Sequence, residues 1–251
     1  MIDGKVATLD VEVAGRDYRI HQSPGLLTST RLGGTTGAVL WKIAPLVASW
    51  LVDEKNTLWS TGLITSNSTI VELGCGISGL LGCALTPLIQ QYIWTDQEYV
   101  LKTLRENITA NINNLAKDKR TARKTLPARA SANYASRVRE LDWEHDGAQV
   151  LSDLLHDGSS LDMVVLCDCV YNDFLIKPLI ETCRNICSSR LDGKRVVLLV
   201  AQQLRSDEIF TSFIDALLRD FRVWRVSDSN LPVTLAYGTG FAAHLAVLRA
   251  S

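Results

Sequence analysis

Three glycines spaced as Gly74-x-Gly76-x-x-Gly79 follow the apolar run Ile70-Val71-Glu72-Leu73 and lead into a second apolar segment. Glycine at this spacing lets a chain turn sharply from strand to helix and lets another group come against the bare backbone. A strand–turn–helix of this kind commits the chain to an α/β sheet with a ligand site at the turn. The flanking sequence keeps the same rhythm. Strands are expected at residues 70–73, 92–95, 138–141, 163–167 and 195–201, and helices at 78–88, 98–115, 150–155, 175–186 and 206–218. Such alternation specifies a mostly parallel sheet with helices on both faces. Strands at 221–226 and 242–248 close the pattern with no helix between them, so they should pair antiparallel.

Upstream, residues 6–21 alternate in part (Val6, Thr8, Val11, Val13, Tyr18, Ile20) and read as a hairpin turning at Gly15-Arg16-Asp17. Residues 22–37 are rich in Ser, Thr and Gly and read as a loop. Residues 38–52 carry apolar side chains at helical spacing. The expected organisation is an N-terminal hairpin and loop, 1–37, packed on one catalytic domain, 38–251. The stretch 117–139 breaks the rhythm, with eight Lys/Arg against the single acid Asp118. It reads as a solvated insertion, or as a strip for an acidic or RNA-bearing partner.

Composition narrows the class. The chain is 47% hydrophobic and 21% charged with a net charge of −1, which fits a globular domain and gives no global pull toward nucleic acid or membrane. The six cysteines form no CxxC pair or Cys/His cluster at zinc spacing, so no metal site is expected and a reducing compartment is. No run approaches the roughly 20 apolar residues of a membrane helix. A monomer in the cytoplasm, with the nucleus open, is the expectation.

Two cofactors compete for the glycine turn. Asp96, at the end of the second strand and twenty residues after Gly76, completes a dinucleotide fingerprint. Glu72 argues otherwise. A carboxylate two residues before the first glycine would face a pyrophosphate of like charge, whereas it suits the ammonium and sulfonium of S-adenosylmethionine. The antiparallel ending and the lack of any Tyr-x-x-x-Lys also weigh against nicotinamide chemistry.

With Glu72 included, residues 68–85 resemble the first motif of the Rossmann-like, seven-β-strand methyltransferases. That resemblance implies jobs for named residues. Gly74, Cys75 and Gly76 would lie along the methionine moiety, Asp96 would accept hydrogen bonds from the ribose hydroxyls, and Asp142 and Trp143 in "ELDWE" would meet the adenine. "CDCVYNDF" (167–174) ends the fourth strand with Asp168-x-x-Tyr171. Base-amine methyltransferases carry two prolines here; this form instead is similar to the protein lysine methyltransferases of the family 16 group. "TTGAVLWKIAPLVASWL" (35–51) is similar to that family's N-terminal helix, with Trp41 at the cofactor's border. "TDQEYVLKTLRENI" (95–108) is similar to its fungal ribosomal branch. The resemblance implies Asp168 and Tyr171 as catalytic residues, the carbonyl of Cys167 at the cofactor edge, and a ribosomal protein as substrate. Rival readings from the residues are an N-cap for Asp96 or Asp168 and a core aromatic for Trp143 or Tyr171. For the whole chain they are an RNA or small-amine methyltransferase, or an adenosine-binding module without catalysis.

Overall fold

The computed structural model describes residues 2–28, 35–117, 137–146, 160–188 and 195–250. Among these residues seven strands form one sheet, and two more form a separate hairpin. The hairpin strands are β1 (Thr8–Val13) and β2 (Arg16–His21), joined by Ala14 and Gly15. Both loop residues have positive φ, 49° and 76°, the twist that two-residue hairpin turns require. The turn is therefore tighter than the sequence suggested. Arg16 and Asp17 already pair with Val13 and Glu12, which buries Val13, Tyr18 and Ile20 on one face.

The main sheet contains β3 (Thr69–Leu73), β4 (Gln91–Asp96), β5 (Val138–Glu140), β6 (Met163–Cys167), β7 (Val197–Gln203), β8 (Phe221–Arg225) and β9 (Phe241–Leu248). Their order is β5-β4-β3-β6-β7-β9-β8. The last two strands do pair antiparallel, but β9 also pairs antiparallel with β7, so it lies between β7 and β8. The chain reverses sheet direction between β3 and β6, where open α/β sheets form their ligand crevice.

The described α-helices are α1 (Ile43–Val52), α2 (Thr57–Ser60), α3 (Leu80–Leu85), α4 (Glu98–Lys117), α5 (Ile176–Ser188) and α6 (Asp207–Asp220), with short 3-10 turns between elements. One apolar cluster joins α1, α3, α4 and the hairpin to the face carrying Ile70, Tyr92 and Trp94. A second joins α5 and α6 to the face carrying Val71, Leu73 and Val164. Helix α1 begins five residues later than periodicity suggested. Pro45 explains this: it fits the first turn, where its missing N–H costs nothing, but not a helix interior. The N–H of Leu40 goes instead to Gln22 Oε1 at 2.8 Å. Helix α3 is shorter than expected: Gly79 before it is left-handed at φ 53°, and after Thr86, which is still helical in φ and ψ, Pro87 has no N–H to continue the ladder. Strand β7 runs two residues further than expected, which brings Gln202 and Gln203 to the ligand edge. The helix expected at 150–155 and most of 117–139 lie outside the described residues.

Two joints set the height of the glycine turn. Gly82 sits so close to β4 that a Cβ would lie 2.2 Å from Trp94 Nε1, and that nitrogen donates to the Gly79 carbonyl at 3.0 Å. On the outer side, Asn107 of α4 donates to the Ile77 carbonyl at 2.8 Å, tying the turn to the helix.

Candidate cofactor and substrate site

One cavity of about 870 Å³, counted with its open mouth, lies at the C-terminal edge of β3, β4 and β6. Glu72, Gly74, Cys75, Gly76 and Asp96 line its floor, Asp142 and Trp143 one side, and Cys167, Asp168, Tyr171 and Trp41 the other. All eleven residues singled out in the sequence thus meet around a single space.

The floor is acidic and buried. Glu72 is 2% exposed, and burial pushes its carboxyl up to about 8 even though Tyr92 Oη donates to it at 2.8 Å. Burial raises the Asp96 carboxyl to about 6, while N–H groups of Gly76 (2.7 Å) and Gln97 (2.8 Å) hold one oxygen each. Each oxygen keeps lone-pair capacity for a ligand hydroxyl. Cys75 gives its N–H to the Thr95 carbonyl, so its backbone donor serves the sheet.

The glycines admit protein groups. A Cβ on Gly74, φ +67°, would touch the Trp143 ring at 3.0 Å, and one on Gly76 would meet the Gly37 carbonyl at 3.2 Å. That carbonyl accepts the Ile77 N–H at 2.8 Å, so the 36–38 turn closes over the glycine loop. Asp142 organises its own turn. One oxygen accepts the Glu144 N–H at 2.9 Å; the other meets Gln97 Nε2 at 3.3 Å and His145 Nδ1 at 3.2 Å. Trp143 Nε1 is buried without a hydrogen-bond partner among the described residues, which leaves a donor for an acceptor in the cavity.

Asp168 sits at the end of β6 with φ +62°, unusual for a residue other than glycine. It does not cap a helix; Asn172 caps the following 3-10 turn. Its Oδ1 accepts from Gln202 Nε2 at 2.8 Å and the Gln203 N–H at 3.2 Å. Its Oδ2 pairs with the Arg205 guanidinium. Arg205 in turn stacks on Trp41, 4.7 Å from the ring centroid, and Trp41 Nε1 donates to the Thr36 carbonyl at 2.9 Å. Burial raises the Asp168 carboxyl, with Arg205 and the Gln203 N–H pulling the other way. Tyr171 is raised by burial and is hydrogen-bonded with Thr36. Gln202 and Arg205 carried no local signal in the sequence; only tertiary pairing with Asp168 reveals them.

A buried acid on the cavity floor suits a cationic ligand, a second buried acid suits ribose hydroxyls, and an indole faces the same space. The donor set therefore fits S-adenosylmethionine. Among the described residues no three His, Cys, Asp or Glu side chains gather to hold a metal, and no helix is long and apolar enough to cross a membrane. A solved Streptococcus mutans structure described as a SAM-dependent methyltransferase superposes with a TM-score of 0.54, covering 97% of this chain and 56% of that one at 10% identity. Another, a methyltransferase complexed with SAH, gives 0.52 over 96% and 56%, also at 10% identity. The sheet order and the edge cavity define a Rossmann-like, S-adenosylmethionine-dependent methyltransferase fold.

The sequence model of the lysine methyltransferase family matches residues 20–219. The chain belongs to that family. It is 30% identical over 240 residues to Ribosomal lysine N-methyltransferase 5 of Zygosaccharomyces rouxii, covering 86% of this chain and 73% of that protein. The Saccharomyces cerevisiae S288c protein of the same name is 28% identical over 282 residues, covering 87% and 76%. A Schizosaccharomyces pombe protein named diaminohydroxyphosphoribosylamino-pyrimidine deaminase is 31% identical over 223 residues, 89% of this chain. The chain spans only 47% of that longer protein's length.

Proposed function

We propose that the protein transfers a methyl group from S-adenosylmethionine to a lysine side chain of a ribosomal protein. Membership of the lysine methyltransferase family supports the acceptor, and the names of the two yeast relatives support the target class. The observation that carries the reading is one cavity shared by the buried acids Glu72 and Asp96 and the Asp168–Tyr171 segment.

The residues divide the work. Glu72 and Asp96 hold the cofactor by its cationic end and its ribose, while Trp143, Asp142, Gly74, Cys75, Gly76 and Cys167 wall it in. Trp41 and Tyr171 narrow the entrance for an extended side chain. When bound, S-adenosylmethionine supplies a methyl on a sulfonium: the amine's lone pair forms the N–C bond as the C–S pair leaves with sulfur. A free lysine amine titrates near ~10.4 and is protonated, without a lone pair, at neutral pH. Desolvation in the cavity favours the neutral amine. Asp168 accepts a hydrogen bond from that amine and aligns it, and alignment is the larger part of catalysis in such a displacement. The product nitrogen then loses its extra proton to water at the mouth. The hairpin 1–37 serves as a brace for the domain 38–251.

The test is labelling. Methyl-depleted ribosomes of the source organism, incubated with radiolabelled S-adenosylmethionine, should gain label in a protein band that resists ribonuclease. Acid hydrolysis should recover it as methyllysine, in a large-subunit protein. Label removed by ribonuclease would move the acceptor to RNA; no label in any fraction would favour a binding module.

A further inference from the structure

Asp168 does not face the cavity as a lone carboxylate. Its side chain is 2% exposed, and Arg205, from the turn between β7 and α6, pairs with its Oδ2. Arg205 is held from a second side, stacked on Trp41, and its side chain is 34% exposed. Gln202 and the Gln203 N–H fix the other carboxylate oxygen, so the acid cannot swing away from the guanidinium. The pairing is therefore built in rather than an incidental surface contact.

A lone buried carboxylate would be a poor neighbour for the reacting amine. Opposite charge favours the charged partner, so it would hold the target lysine as an ammonium, which cannot attack. A carboxylate already paired with a fixed cation keeps its lone pairs but loses most of that pull. We infer that Arg205 is a positioning residue for methyl transfer: it cancels the charge of Asp168, so that the acid orients the target amine without trapping it protonated. The inference rests on the lysine reading above. It adds that specificity for the neutral amine is set by a residue touching neither substrate nor cofactor.

Other titratable groups line the cavity that Asp168 lines. Glu72 comes from β3, Cys75 from the glycine turn, Asp96 from β4, Tyr99 from α4 and Asp142 from the segment after β5. Cys167, Cys169 and Tyr171 lie on the segment of Asp168 itself. All are the same in wild type and in an Arg205 variant, so a difference between the two isolates the guanidinium.

The experiment compares wild type, Arg205→Gln and Arg205→Lys across pH 6.5–10 on methyl-depleted ribosomal proteins with labelled cofactor. With Arg205→Gln the rising limb of kcat should move up by about one pH unit, so kcat at neutral pH falls about tenfold. KM should fall alongside it, because the unpaired acid now binds the ammonium unproductively, and kcat/KM should change little. Arg205→Lys should restore the limb toward wild type. A parallel loss of kcat and kcat/KM with the limb unmoved, or no rescue by lysine, overturns the inference while lysine methylation stands. Absence of methyllysine with the wild-type protein overturns both.

Discussion

Asn107 pairs with the backbone of His21 through both ends of its amide: the His21 N–H donates to Oδ1 at 2.8 Å, and Nδ2 donates to the His21 carbonyl at 2.9 Å. One helical turn on, Asn111 repeats the pattern with Arg19, at 2.9 Å in both directions. Two side chains of α4 thus act as an extra strand along the edge of β2. The same Asn107 nitrogen also reaches Ile77, at the end of the glycine turn. The hairpin, the helix and the cofactor loop therefore share one residue.

Replacing Asn107 by Leu should cost about 1–3 kcal/mol, because it strands the buried Ile77 carbonyl and the part-buried backbone groups of His21. Chemical denaturation reads the loss. A change under ~0.5 kcal/mol would mean that water replaces the amide freely and the brace carries no load.

Gly82→Ala separates helix propensity from packing. Propensity alone favours alanine inside α3 by about 1 kcal/mol. The Trp94 indole, at 2.2 Å from the added Cβ, forces a rearrangement that should outweigh this, giving a net destabilisation of about 1–3 kcal/mol. A stabilised variant would show that Trp94 has room to move.

Glu72 makes the ligand-free protein sensitive to alkali. Its folded value, about 8, lies above its usual 4.5, so between those pH values the folded state binds more protons than the unfolded state. Its contribution to stability is whole below pH 4.5 and is lost as pH rises toward 8, an effect on the order of a few kcal/mol. Asp96, raised to about 6, acts in the same direction over a narrower range. Melts from pH 5 to 8 should slope down in wild type and much less in Glu72→Gln. A cationic ligand on an ionised Glu72 must release that proton, so S-adenosylmethionine affinity should climb with pH up to about 8, by at most tenfold per unit. Calorimetry in buffers of different ionisation enthalpy counts the proton.

Asp96→Ala should raise the Kd for S-adenosylmethionine at least tenfold, since it removes the acceptor assigned to the ribose and frees the Gly76 and Gln97 N–H groups. Unchanged affinity would confine Asp96 to bracing the glycine turn.

Asp168→Asn keeps a side chain that tolerates positive φ, so the backbone conformation should survive. Turnover should fall by 100-fold or more while cofactor affinity stays within about threefold, because the change falls on the amine rather than on the donor. Equal losses in both would assign Asp168 to cofactor binding.

The sheet was legible in the sequence because its strands are short apolar runs alternating with segments of helical period, and the glycine turn marked the cavity floor. The helix start at Ile43 was misjudged because the apolar period of residues 38–52 outvoted Pro45, a backbone constraint that periodicity does not register. Trp41 was placed through family likeness; nothing in its immediate neighbours gives it away. Arg205 stayed hidden because its partner lies 37 residues upstream and an arginine before a helix looks like any solvated charge. The asparagine ladder was equally silent, with its partners 86 and 92 residues away. Contacts of this range are decided by how strands stack, which no local window contains.

The placement of β9 between β7 and β8 has a consequence during synthesis. Strand β8 is made before β9, yet among the described strands β9 is its neighbour, and β7 too shows an open edge until Leu248 has emerged. A ribosome still translating this chain thus carries two unsatisfied strand edges, the feature that chaperones bind and that aggregates grow from. Completion of the fold waits on its final rung, and a stall just short of it should leave the nascent protein sticky rather than half active.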